Sequence, residues 1–568
     1  MPCRLKITMR SGWLIVGLMP WSLCCFPAEP GAHLNSIERQ SPSLVPKDLG
    51  SGFELPPLNP DSGAPALSET GELRNYNRCT FRGNTVVEAI ILNEICNQYL
   101  RRPVGQSEVE ELRIALTKAY VSRGYVNSGV VFSVASPDRE TLAFDVVEGK
   151  LRTIRAGGLG RLNPNYVIRR LAPTEGEVLN VDVLRERYQS LLSDPLFQRM
   201  NARLVPEPQL GEAALELEVQ RAQPYRLSFF TNNYRPPSIG SQAMGFNGGI
   251  RNLTGQGDAL EIGVQQGRSS GGGGRTSLSW LMPLNYSGTV FSFQMDRGRS
   301  SVVEEPLAVL GIRSNLNTRD FGLSQTLVES LRHRFVIGIN QIERVSKTTL
   351  LGQPFSFTAG EPDGITKAPA RRVWQEYSYR TEVQAISMRS TFSFVRNNLQ
   401  LVRGLPSATQ ADPASRIWLG QAQYVRQVMD NGAQVILRGS MQQTNQRLLP
   451  LDGIALGGVN TVRGFRENQL VRDRGRVLNL EFMFPAVRNG ELGMMLDIKP
   501  FYDQGWAANT GDIPAKLSSA GVAMRFSWVG FSIDLAVARA LAKPISVANN
   551  SGILQDRGVH LQITYQFL

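Results

Sequence analysis

The sequence predicts a mainly β protein. Two consecutive α+β domains precede an antiparallel transmembrane β-barrel of on the order of 16 strands. Three observations predict it. From Tyr225 to Leu568, helical periodicity gives way to roughly ten-residue segments that alternate apolar and polar residues. Between Arg78 and Gln220 the order strand, helix, helix, strand, strand occurs twice in succession. An apolar leader opens the chain, and no later apolar run reaches 18 residues. A membrane position would therefore have to be held by strands.

The leader comprises residues 1–28. Arg4, Lys6 and Arg10 precede the mostly apolar Gly12–Phe26, and Phe26-Pro27-Ala28 offers a small residue for cleavage. The run is too short for an anchor and reads as a secretory signal. Cys24 and Cys25 follow Trp21-Ser22-Leu23, a poor lipid-attachment box. Formal net charge is +12, and the leader's three cations with no acid leave +9 after cleavage. The charges are scattered rather than clustered, which argues against a nucleic-acid partner. A charged content of 19 % is low enough for a surface that partly faces lipid.

Residues 29–75, with Pro42, Pro46, Pro56, Pro57, Pro60 and Pro65, read as a linker. Within it His33–Gln40 is the one candidate for a short polar helix. Residues 76–150 form the first α+β domain. A strand ends at Phe81-Arg82-Gly83, and helices are predicted over Val86–Leu100 and Val109–Ser122. Strands follow over Val126–Val134 and Thr141–Val147, joined by a turn at Ser136-Pro137-Asp138. Residues 151–223 repeat the order. Strand Leu151–Ala156 leads to helices Pro164–Leu171 and Val181–Leu192, the second capped by Asn180, and then to strands Met200–Pro206 and Ala213–Gln220. Cys79 and Cys96 are the two cysteines left after the leader. In an exported chain they make one disulfide or two buried thiols; their place in one small domain favours the disulfide.

Residues 224–568 are the barrel tract. Leu478, Leu480, Phe482 and Phe484 fall on one face of their segment, and Leu561, Ile563, Tyr565 and Phe567 on one face of the last. Aromatic residues gather near strand ends, as in the girdles of outer-membrane barrels. A soluble sandwich would also alternate, but the leader and the girdles oppose it. In 496–503, Asp497, Lys499, Phe501 and Asp503 share one face. That face must be the lumen, because a charge toward lipid costs about 2–4 kcal/mol at the midplane.

No enzyme emerges. His33, His333 and His560 are isolated, with no metal-ligand spacing. Gly267-Arg268-Ser269-Ser270-Gly271 matches a nucleophile elbow on paper, but runs into Gly272–Gly274 with no helix following. No nucleotide-binding phosphate loop, metal site or cofactor site is readable. The residues that stand out instead are Val462, Arg463, Gly464 and Phe465, in a connection far too long for a hairpin. Taken alone, Arg463 and Asp503 have two readings: a bidentate pair inside the lumen, or two separately solvated charges.

Val462-Arg463-Gly464-Phe465 resembles the loop signature of the TpsB transporters of two-partner secretion, the ShlB/FhaC/HecB family. Phe501-Tyr502-Asp503-Gln504-Gly505 resembles the family's inward strand motif, and Asn252–Asp258 an early hairpin motif. Gly124-Tyr125-Val126 and Val147-Glu148-Gly149 resemble its first POTRA domain. The resemblance implies two periplasmic POTRA domains, a 16-stranded barrel, and an Arg463–Asp503 pair in the lumen. It implies a place in the outer membrane of a Gram-negative bacterium and a large secreted TpsA-like partner, with no nucleotide. A plug helix would fall within 29–75. Family barrels usually end in Phe, whereas this chain ends Phe567-Leu568. The rival readings are an assembly factor of the BamA type, disfavoured by two repeats rather than five, and a passive porin, which lacks paired periplasmic domains.

Overall fold

The computed structural model describes residues 42, 44, 52–55 and 73–567, apart from 101, 134–137, 139, 174–175, 270, 407–408 and 544–551. The leader, Cys24 and Cys25, the helix expected at His33–Gln40, most of the linker, part of the turn at Ser136-Pro137, and Leu568 lie outside the described residues.

The first α+β unit comprises β1 (Arg78–Arg82), α1 (Ala89–Asn97), α2 (Gln106–Val121), β2 (Gly129–Phe132) and β3 (Thr141–Val147). β1 lies parallel to β3, and β2 antiparallel to it. Leu92, Leu112, Leu116, Tyr120, Leu142 and Phe144 fill the space between helices and sheet. Three elements start elsewhere than expected, and α1 ends at Asn97 rather than Leu100. α1 starts at Ala89 because the Glu148 carboxylate accepts from the Val86 amide at 2.9 Å, so Val86 does not join the helical ladder. α2 begins before Val109 because Glu108 accepts from the Gly105 amide at 2.9 Å and caps an earlier start. β2 begins only at Gly129, since Tyr125–Ser128 close a turn. Cys79 on β1 and Cys96 on α1 are joined by a disulfide, with Cα atoms 6.5 Å apart.

The second unit has the same order: β4 (Lys150–Gly157), α3 (Asn165–Leu171), α4 (Val181–Leu192), β5 (Phe197–Pro206) and β6 (Glu212–Arg221). β4 runs parallel to β6 and β5 antiparallel. The Asn180 side chain accepts from the amides of Asp182 and Val183 at 3.0 and 3.3 Å. The outer edge of β5 receives Phe53–Glu54 as a short parallel strand.

The units are joined by backbone hydrogen bonds. Val181 N donates to Gly124 O at 2.8 Å and Leu179 N to Gly149 O at 2.7 Å. Two of the motifs that carried the family resemblance are thus this joint. The second unit is tied in turn to the barrel's first periplasmic hairpin. Asn163 N donates to Gly255 O at 2.8 Å, and Arg251 Nη1 to Pro195 O at 2.7 Å. A Cβ at Gly257 would run into the Tyr166 ring, so the glycine lets α3 seat directly on the hairpin.

The barrel has 16 strands. They are β7 (Tyr225–Asn232), β8 (Ala243–Arg251), β9 (Ala259–Gly267), β10 (Gly274–Pro283), β11 (Thr289–Ser301), β12 (Arg313–Glu329), β13 (His333–Leu350) and β14 (Ala370–Arg380). β15 (Gln384–Arg396), β16 (Ala414–Gln427), β17 (Gln434–Gln443), β18 (Arg474–Asn489), β19 (Met494–Ala508), β20 (Ala515–Trp528), β21 (Phe531–Ala542) and β22 (Val559–Gln566) complete it. Neighbours are antiparallel throughout, and β22 pairs back onto β7. Closure leaves no unpaired edge for lipid to meet. Alternation sorts the faces as the sequence predicts. Leu478, Leu480 and Phe484 are exposed outward, while Asn479 and Glu481, between them in sequence, are buried inward. Among the described residues no helix is long and apolar enough to cross a membrane.

Candidate functional site

Residues 444–473, between β17 and β18, fold back into the lumen. Ile454–Leu456 and Leu470–Arg472 pair as a short antiparallel ribbon that carries the tip inward. An apolar cluster holds it there: Ile454, Leu456, Val462, Phe465 and Leu470 from the loop pack against Val477, Ala507 and Leu517 of β18, β19 and β20.

The tip places Arg463 against the wall. Its Nε and Nη2 donate to the two oxygens of Asp503, each at 2.7 Å, and its own amide donates to Oδ2 at 3.1 Å. Nη1 meets Glu481 Oε1 at 2.6 Å, and the guanidinium carbon lies 3.5 Å from the centre of the Phe501 ring. The site is dry: Arg463 is 6 % exposed and Asp503 fully buried. Asn479 donates to Asp503 Oδ1 at 2.8 Å, and Arg438 reaches Glu481 at 3.0 Å. Two arginines and two carboxylates therefore balance, which is what burial of charge requires.

Gly464 has φ +87°, in the left-handed region, and a Cβ there would come 2.9 Å from the Ala538 methyl. Gly505, two residues after Asp503, leaves the space filled by Leu456 and Val462; a Cβ would lie 2.7 Å from Leu456 Cδ2. The glycines of both motifs thus serve close approach of loop to wall. Val462 and Phe465 are the buried apolar flanks of the arginine.

Two further contacts hold the loop. At the outer side of the tip, Arg466 meets Asp556 Oδ1 at 2.5 Å and Glu304 Oε1 at 2.8 Å, which ties it to two external connections. At the base, Asp452 pairs with Arg344 of β13 at 2.6 Å, with both side chains almost wholly buried. The sequence reading missed Glu481, Asn479 and Arg344. The first two had a signal: they are the alternate face of the segment whose apolar face was read. Arg344 had none beyond its inward register.

His560 lies buried on the lumen wall with Glu467 at 3.8 Å, while His333 lies at the periplasmic end beside Tyr377. Among the described residues no group of His, Cys, Asp and Glu could hold a metal.

A closed 16-stranded barrel, tandem α+β domains at one end and a loop folded into the lumen define a class: an outer-membrane transporter with periplasmic POTRA domains. The chain belongs to the haemolysin secretion/activation protein family ShlB/FhaC/HecB, whose model matches residues 211–527; the ShlB-type POTRA domain matches residues 75–149. It is 21 % identical over 520 residues to the outer membrane transporter CdiB of Dickeya dadantii, covering 86 % of this chain and 87 % of that one. Identity to CdiB-2 of Burkholderia pseudomallei is 24 % over 246 residues, 41 % of this chain and 40 % of that one. Among solved structures, CdiB from Escherichia coli matches with a TM-score of 0.67 at 17 % identity, over 89 % of this chain and 93 % of that one. BamA from Haemophilus ducreyi lacking POTRA domains 1–3 matches with a TM-score of 0.50 at 12 % identity, over 87 % of this chain and all of that one, a likeness of fold alone. Members of this family secrete partner exoproteins, and this protein is an outer-membrane transporter of that kind.

Proposed function

We propose that the loop carrying Val462, Arg463, Gly464 and Phe465 is the closing element of the export pore, and that its bond to Asp503 is the contact that must rearrange when a client passes. The single observation that carries this reading is the dry, bidentate Arg463–Asp503 pair with Glu481 on the remaining nitrogen. Such a pair is rigid while intact and costly to leave half-made, so the loop has two discrete arrangements rather than a continuum. Residues 76–150 and 151–223 act as two POTRA domains that capture an unfolded, TpsA-like client, with strand addition to a sheet edge as the mode of capture. Residues 224–568 contact outer-membrane lipid and enclose the path, and residues 1–28 direct export. Folding of the client outside supplies direction without nucleotide.

The experiment is Arg463→Ala in the full chain. Barrel insertion is checked by the gel shift on heating, and client release into the medium is assayed. Release is expected to fall by an order of magnitude or more with insertion intact, the scale of about 3–5 kcal/mol for a broken buried pair. Wild-type release from an inserted barrel removes Arg463 from the mechanism.

A further inference from the structure

The lumen face of the barrel is accounted for by the loop and its anchors. The lipid face carries a feature that they do not explain. On five of the six successive strands β11 to β16, the outward-facing apolar residues are followed, toward the end far from the periplasmic domains, by an exposed cation; β13 carries Glu343 at that level. Arg297 and Arg299 stand above Phe291, Phe293 and Met295 on β11, and Arg319 above Phe321 and Leu323 on β12. Arg371 stands above Val373 on β14, Arg396 above Phe392 and Phe394 on β15, and Arg416 above Trp418 on β16.

Strand register makes these an arc rather than a scatter. Arg297 pairs across with Asn317, so Arg319 is its diagonal neighbour, on the order of 7–8 Å away. Arg319 faces Glu343 on β13, and Arg371 faces Gln341 two residues below. Glu343 is the only outward-facing carboxylate of this rim among the described residues. The wall on the other side is built differently: Arg476 and Lys516 flank the ring of Trp506 at 4.5 and 5.9 Å, which occupies them locally.

We propose that the outward face of β11–β16, just above the apolar belt, is a binding site for the phosphorylated glycolipid of the outer leaflet. The belt takes the acyl chains and the arginines take the phosphates, for which the guanidinium fork is suited. Strands lie about 4.8 Å apart, so the arc is on the order of 25 Å wide. That width accommodates more than one phosphate, which favours a multiply phosphorylated headgroup over a phospholipid carrying one. Fixed arginines would also replace the divalent cations that otherwise bridge such headgroups.

The test uses the full chain extracted from its own outer membrane in mild detergent, with co-purifying glycolipid quantified by mass spectrometry. In the triple variant R297Q/R319Q/R371Q, bound glycolipid per protein is expected to fall on the order of ten-fold or more, the scale for removing three membrane-facing cations. In R476Q/K516Q/R539Q it should be unchanged. Vesicle reconstitution supplies the second arm: wild type should retain bisphosphorylated lipid A over both its dephosphorylated form and phosphatidylglycerol. Equal retention by the two triple variants, or equal retention of the three lipids, overturns the proposal. If the arc triple fails to show the folded gel band, R319Q and R371Q singly, read in the same assay, decide it.

Discussion

The loop is held at its tip and at its base by buried ion pairs of opposite polarity. At the tip the loop supplies the cation, Arg463, and the wall supplies the carboxylates, Asp503 and Glu481. At the base the wall supplies the cation, Arg344, and the loop the carboxylate, Asp452. The reversal makes mispairing repulsive, since a loop slipped along the lumen would not find the opposite charge it needs. The anchors also lie on different walls, β18 and β19 against β13, so the loop bridges the lumen rather than lining one side. They differ in surroundings as well. Asp503 is fixed in a strand under four donors, whereas Asp452 ends a short 3-10 turn and borders a cavity of ≈ 180 Å³.

That difference ranks the outcomes. Arg463→Ala leaves Asp503 without its cation in a dry site, while Glu481 keeps Arg438, and should have the largest effect, as already set out. Arg344→Met should cost less, near the low end of about 3–5 kcal/mol, because Asp452 can turn into the adjoining cavity. Single-channel recordings distinguish the two: the base variant should flicker between closed and open levels, and the tip variant should stay open. Equal conductance traces would break the comparison. Gly505→Val leaves every charge in place but fills the space of Leu456 and Val462, at about 1–3 kcal/mol. It should open the pore partially, which separates packing from charge; a fully closed trace would show that the ion pairs alone seat the loop. Glu481→Gln should be smaller still, about 1–2 kcal/mol, since Arg463 keeps both oxygens of Asp503. It is read as a modest drop in client release.

The smallest expected effect lies outside the lumen, in the first periplasmic turn. Burial pushes the Asp258 carboxyl up, but hydrogen bonds from the Thr254 amide and hydroxyl and the Trp280 indole outweigh it and hold it below the ordinary range. A lowered folded value means the contribution is complete above the unfolded pKa of about 3.9 and lost as pH falls through the folded one. Asp258→Asn should therefore lower the melting temperature at pH 7, and the gap to wild type should close in strongly acidic buffer. A gap independent of pH would assign the effect to shape rather than charge.

The barrel was legible because lipid and water impose opposite demands on alternate residues, so the pattern in 477–484 or 561–567 survives without any partner in view. The lumen side of Asp503 followed from the same rule. What joins Arg463 to Asp503 did not: the two are 40 residues apart, and only the motif resemblance linked them. Glu481 and Asn479 sat in plain alternation, but a polar residue facing a lumen has many partners open to it, and periodicity does not choose. Arg344–Asp452 had neither motif nor local pattern. In the α+β units, strand and helix order was readable, while boundaries moved wherever a distant side chain, such as Glu148, claimed a backbone amide.

The joints at Gly124, Gly149 and Gly255 bear on how far a captured segment must search. They tie both periplasmic units and the first periplasmic hairpin of the barrel into one arm. A client bound at the far unit is then tethered at a set distance and bearing from the pore mouth, not merely nearby. Its leading residues face that opening at an effective concentration fixed by the arm's geometry, of about millimolar order for a short flexible tether, however dilute the client is in the periplasm. A break in the arm, for example a flexible insertion after Val147, would leave every contact in the lumen untouched and yet make export depend on client concentration.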